Sequence, residues 1–71
     1  MDDIQIHTEV INLDQLLKWA GVTESGAQAK TLIDAGLIFV NNKKITEKRK
    51  KIYPGDILEI KGSGIWKIST S

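Results

Sequence analysis

Six of the ten basic residues fall within nine positions: Lys43, Lys44, Lys48, Arg49, Lys50 and Lys51, with Glu47 the only acid among them. Side chains of this kind, at this density, do one kind of chemistry well, which is to hold a polyanion. The lysines act as compact point charges, whereas Arg49 can fork two bonds onto one phosphate. A run of this sort is also what a merely solvated loop looks like. Two features raise the binding reading above that alternative. The first is the opposite charge of the preceding part of the chain: residues 1–42 hold two lysines against six acids, while residues 43–71 hold eight basic residues against three acids. The second is Ser25-Gly26-Ala27-Gln28, which reads as a capping box. The serine hydroxyl accepts from the Gln28 amide and the Gln28 side chain reaches back to the Ser25 amide. The helix that opens there has first-turn amides without intrahelical partners and with partial positive charge, and Gly26 and Ala27 leave them bare enough for a phosphate oxygen to approach.

Catalysis has no comparable set of residues. His7 is the only histidine, there is no cysteine, and the carboxylates are not clustered, so no nucleophile-base pair, metal set or acid-base pair sits at a meaningful spacing. The expectation is a binding protein and not an enzyme, with no cofactor, no metal and no small-molecule substrate.

The elements that must position the basic run can be read in order. Ile4-Gln5-Ile6-His7 alternates with period two and predicts a half-buried strand with Ile4 and Ile6 inward and His7 outward. Asn12 is a candidate N-cap with Gln15 three residues on, opening a first helix whose Leu13, Leu16, Leu17 and Ala20 share a face and which Gly21 ends. Asp14 and Lys18 are spaced as an exposed i, i+4 pair. Trp19 falls about 120° from the centre of that apolar stripe; it reads as a core-edge residue, with base stacking as the alternative. A second helix runs from Gly26 through Ala29, Leu32 and Ile33 to Gly36, with Lys30 on its flank. Leu37-Ile38-Phe39-Val40 reads as a strand, Asn41-Asn42 as a two-residue hairpin turn, and Lys44-Ile45-Thr46 as the returning strand. The charged loop from Glu47 to Lys51 follows and should project from the sheet. Ile52 points back inward, and Tyr53-Pro54-Gly55-Asp56 forms a type II turn that launches Ile57-Leu58-Glu59-Ile60. Gly62-Ser63-Gly64 leads to a last strand, Ile65-Trp66-Lys67-Ile68, with Trp66 and Ile68 on one face, and a polar tail closes the chain.

Length bounds the rest. The 71 residues are expected to form one domain, 1–71, which buries about 60% of the surface that its unfolded chain exposes. No apolar run approaches a membrane span, and the acidic start Asp2-Asp3 does not fit a signal peptide, so a cytoplasmic protein without a membrane partner is expected, and it is taken as a monomer.

The pattern Leu13-Asp14-x-x-Leu17, then Ser25-x-x-x-Ala29-x-x-Leu32-Ile33-x-x-Gly36-x-Ile38-x-Val40-Asn41, then Gly55-Asp56-x-Leu58, resembles the RNA-binding domain named after ribosomal protein S4. Ser25-Gly26-Ala27-Gln28-Ala29-Lys30, with a short N-terminal strand and a C-terminal hairpin strand, is similar to the small stand-alone bacterial members of that family, the YaaA and YbcJ type. The resemblance implies an α+β fold, with two short helices packed on a small, mostly antiparallel sheet (the alpha-L motif). It implies binding of structured RNA, ribosomal RNA or tRNA, in ribosome assembly or translation. Backbone and shape are the expected basis of recognition, since few aromatic residues are left over for base readout. The candidate contacts are Ser25, Gly26, Gln28, Lys30, Asn41, Lys43, Lys44, Lys48, Arg49, Lys50 and Lys51. Many larger members carry arginine where this chain has Gly26, which shifts the expected work to Lys30 and the basic loop. The alternative is a protein-protein adaptor whose basic loop docks on an acidic partner.

Overall fold

In the computed structural model, which describes residues 2–70, the N-terminal alternation becomes strand β1 (Asp2–Ile6), with Ile4 and Ile6 buried and Gln5 facing out. It is followed by the short β2 (Ile11–Asn12), helix α1 (Leu13–Trp19), helix α2 (Gly26–Asp34), β3 (Ile38–Val40), β4 (Lys43–Lys44), β5 (Lys51–Ile52), β6 (Ile57–Ile60) and β7 (Gly64–Thr70). Five strands form one sheet in the order β1-β7-β6-β3-β4, antiparallel throughout except for β1 against β7, and β2 pairs with β5 as a separate antiparallel ribbon. The expected α+β architecture, two helices on a mostly antiparallel sheet, is the one observed.

Helix and sheet meet through one apolar layer. Leu13, Leu16 and Leu17 of α1 and Ala29 and Ile33 of α2 pack with Ile6, Ile38, Leu58 and Ile68 from the sheet and Ile52 from β5, all buried. Burying a leucine or isoleucine fully is worth about 1.5–3 kcal/mol, so this layer supplies the main force holding the helices to the sheet. The punctuation follows the residue types. Gly36 stops α2 at φ +73°, a left-handed conformation costly for other residues, and its amide bonds back to Ile33. Gly55 takes φ +95° in the turn whose Asp56 amide closes onto the Tyr53 carbonyl at 3.1 Å.

Several local expectations are corrected. Asn12 has the extended backbone of an N-cap, but its side chain makes no capping bond. The first amides of α1 are met instead by main-chain carbonyls of the basic loop, Leu13 N donating to Lys50 O at 2.8 Å and Asp14 N to Lys48 O at 2.9 Å. The β2-β5 ribbon puts Lys51 opposite Asn12 and so delivers those carbonyls to the helix start. The loop is therefore docked on α1 and does not project freely. The Gln28 side chain reaches one residue further back than expected, its Oε1 accepting from Glu24 N at 2.6 Å. Among the described residues the one ion pair is Lys30–Asp34, and Asp14 Oδ1 accepts from the Gln15 amide where a pair with Lys18 was expected. Because α1 ends at Trp19, Ala20 is its exposed C-cap and not part of the buried face. Trp19 itself is 55% exposed. The second strand of the hairpin is Lys43–Lys44, with Ile45 N extending the pairing to Ile38 O, and the polar tail is the end of β7, with Ser69 and Thr70 opposite Gln5 and Ile6 of β1.

Candidate nucleic-acid interface

The hairpin is built around Asn41 and Asn42, whose φ values of 52° and 69° lie in the left-handed region that a tight two-residue turn needs and that asparagine tolerates. Asn41 does more than turn the chain. Its backbone amide donates to Ile57 O at 2.9 Å, its side-chain Oδ1 accepts from Ile57 N at 2.9 Å, and its Nδ2 donates to Asp56 Oδ1 at 3.1 Å. These bonds stitch the hairpin tip to the start of β6. The candidate contact Asn41 thus has its side chain engaged in the scaffold, and the exposed cations beside it, Lys43 and Lys44, lie on the edge strand of the sheet. Lysines on an edge strand also discourage pairing with another chain, so their presence there has two physical uses.

From β4 the chain crosses to the loop that α1 captures. With Lys48 and Lys50 held through their carbonyls, the side chains of Lys48, Arg49 and Lys50 are left exposed, as is Lys51 on β5. The loop also reaches the second helix: a Cβ placed on Gly26 would sit 3.9 Å from Lys48 Nζ and 4.0 Å from Asp14 Oδ2. The N-termini of both helices and the basic loop therefore converge. At the start of α2, Ser25 Oγ accepts from Gln28 N at 3.3 Å, no acid occupies the first turn, and the Thr31 hydroxyl donates to Ala27 O. The Lys48 ammonium and the helix dipole add there with the same sign, and Asp14 offsets part of that field. None of the six clustered cations joins an ion pair among the described residues, whereas Lys30, further along α2, is bound to Asp34 at 3.0 Å.

The structure adds an open groove of about 490 Å³ between β4 and the β5 side of the loop, whose lining includes Lys43, Lys44, Lys50, Lys51, Tyr53 and Asp56. Tyr53 is 50% exposed. The aromatic residues were expected to be needed mostly for the core, and two of the four are not: Tyr53 and Trp19 stand in solvent, while Phe39 is half-buried under Lys61 Nζ at 5.2 Å and Trp66 is partly buried against the core. The sequence did carry a signal for Tyr53, which follows the inward Ile52 and is turned outward by alternation along an extended chain. Trp19 is fixed by its Nε1 donating to Gln5 O at 2.6 Å and by an edge-on contact with the His7 ring at 5.3 Å. Among the described residues no cluster of His, Cys, Asp and Glu could hold a metal ion, and no helix is long and apolar enough to cross a membrane.

The S4 domain matches residues 4–68 of the chain. The probable ribosome maturation protein RlbA of Bacillus subtilis is 38% identical over 65 residues, covering 92% of each chain. Small ribosomal subunit protein uS4 of Kosmotoga olearia is 37% identical over 49 residues, 69% of this chain and 24% of that protein. Hemolysin A of Brachyspira hyodysenteriae is 40% identical over 50 residues, 70% of this chain and 21% of that protein.

Proposed function

This chain belongs to the S4-domain family, and from that premise we propose that it is an RNA-binding protein acting at the ribosome, in the cytoplasm, as a factor in ribosome assembly or translation. It holds structured RNA by backbone and shape. The phosphates lie across the surface where the start of α2 meets the basic loop, against Lys48, Arg49, Lys50 and Lys51, with Lys43 and Lys44 extending the track along β4. Ser25 and Gln28 hold the helix start in place, Gly26 leaves it bare, and Lys30 contributes from the flank when it exchanges Asp34 for phosphate, a small cost for a pair this exposed. The observation that carries this reading is the convergence at Gly26: the Lys48 ammonium stands over the first turn of α2 while the loop's carbonyls are bonded to the first turn of α1. That arrangement presents the cations from a fixed backbone, which lowers the ordering cost of binding.

Crosslinking in cells followed by sequencing of the bound RNA tests it. Recovery of ribosomal RNA segments or tRNA is the expected result. Partners that survive nuclease treatment of a pull-down, with no crosslinked RNA, would instead support an adaptor docking on an acidic protein.

A further inference from the structure

Phosphate binding leaves one component of the groove beside β4 unused, the ring of Tyr53. Its mounting is rigid. Tyr53 N donates to Asp56 Oδ2 at 2.9 Å, Tyr53 O accepts from Asp56 N at 3.1 Å, Asp56 Oδ1 accepts from Asn41 Nδ2, and Gly55 N is bonded to Ile68 O at 2.7 Å. The turn is thereby tied at once to the hairpin tip and to the last strand, which fixes the backbone from which the exposed ring is displayed. The open groove's volume of about 490 Å³ is comparable to that of small-ligand clefts, room enough for one base. A duplex offers no ring face to a tyrosine, because each base is covered by its stacked neighbours, whereas an unpaired base does. The lining carries two carboxylates, Glu47 and Asp56, among its four lysines. Both Asp56 oxygens already accept from Asn41 and Tyr53, so Glu47 is the lining carboxylate left to accept a hydrogen bond from the amino group of a base.

We propose that this groove takes one unpaired nucleotide of the bound RNA, its base stacked on Tyr53 and its flanking phosphates met by Lys43, Lys50 and Lys51. The proposal rests on the RNA-binding reading above and adds to it a preference for a bulged or looped nucleotide within structured RNA.

The test uses two RNA hairpins identical except for a single unpaired nucleotide, with 2-aminopurine at that position, titrated with the parent protein, Tyr53→Phe and Tyr53→Ala. The parent should favour the bulged hairpin by about tenfold, as one base-aromatic stack allows, and should quench the 2-aminopurine. Tyr53→Phe should keep both effects. Tyr53→Ala, which leaves the main-chain bonds of the turn in place and whose folding is checked by thermal melting, should lose the preference and the quenching while binding the plain hairpin as the parent does. A parent that binds both hairpins equally, or a Tyr53→Ala protein that keeps the preference, overturns the groove assignment and leaves RNA binding standing. A parent that binds neither hairpin removes the RNA-binding reading itself. Displacement of the bulged hairpin by micromolar adenosine monophosphate would assign the groove to a free nucleotide and also overturn the proposal.

Discussion

Ser25 Oγ accepts from the Gln28 amide at 3.3 Å, and Gln28 Oε1 in turn holds the Glu24 amide, so the start of α2 is closed by two side-chain bonds of which Ser25 supplies one. Ser25→Ala should therefore cost about 1 kcal/mol of stability in chemical denaturation. RNA affinity, measured where both proteins are folded, should stay within about twofold, because Gly26 and Ala27 still leave the helix-start amides open to a phosphate. A much larger affinity loss in the folded mutant would make Ser25 a direct contact. Gly26 poses a sharper question. A side chain there meets Lys48 and Asp14 only at ordinary van der Waals distance, so Gly26→Arg should fold. If phosphate lies beside the helix start, the guanidinium strengthens binding by roughly 1 kcal/mol and steepens the salt slope by about one unit. If phosphate touches the amides, the new side chain covers them. We expect the second outcome, a loss of affinity despite the added charge, because Asp14 stands close enough to capture the guanidinium and the arginine stem would fill the gap that glycine leaves.

At the scale of elements, the loop from Glu47 to Lys50 has a double attachment: backbone to α1 and side chains to solvent. Replacing Lys48, Arg49, Lys50 and Lys51 together by alanine should leave the fold intact, since alanine keeps the Lys48 and Lys50 carbonyls that accept from Asp14 and Leu13. The same variant should bind RNA much more weakly, and its plot of log affinity against log salt should lose roughly 3 to 4 units of slope, at about 0.9 per phosphate contact on a B-form duplex. Unchanged affinity and slope would remove the loop from the interface. The loop also shows where reading residue types stops being informative. Side-chain signals were legible: the Ser25 cap, Asn41-Asn42 in the left-handed turn, the Pro54-Gly55 turn and the inward Ile4, Ile6 and Ile52 all stand where their chemistry puts them. The capture of the loop by α1 was not, because a carbonyl-to-amide bond is made by any residue and leaves no trace in composition. The same holds for the placement of the Trp19 indole, which is bonded to the main chain of Gln5, a partner that carries no side-chain signature.

Across the whole molecule the two edge strands of the sheet carry opposite charge, although Lys67 of β7 stands opposite Asp3. The strand order places β1, with Asp2 and Asp3, at one edge and β4, with Lys43 and Lys44, at the other. The parallel pairing of β1 with β7 that creates the acidic edge is invisible in either strand's alternation, since both edges of a sheet accept an Ile-x-Ile pattern; the numerical imbalance between residues 1–42 and 43–71 was legible, its spatial layout was not. Four interstrand steps of about 4.8 Å put the edges roughly 19 Å apart. The Debye length is about 8 Å at 0.15 M salt and about 30 Å at 0.01 M, so an RNA held along β4 and the basic loop should feel the acidic edge only when salt is low. Asp2 and Asp3 are exposed, and replacing both by asparagine raises the net charge by two without touching the core. The double variant should bind RNA within about twofold of the parent near 0.15 M salt and several-fold more tightly near 0.01 M, where screening no longer separates the edges. Comparable tightening at both salt concentrations would mean that RNA passes within one Debye length of β1, and would move the interface from the hairpin and loop onto the open face of the sheet.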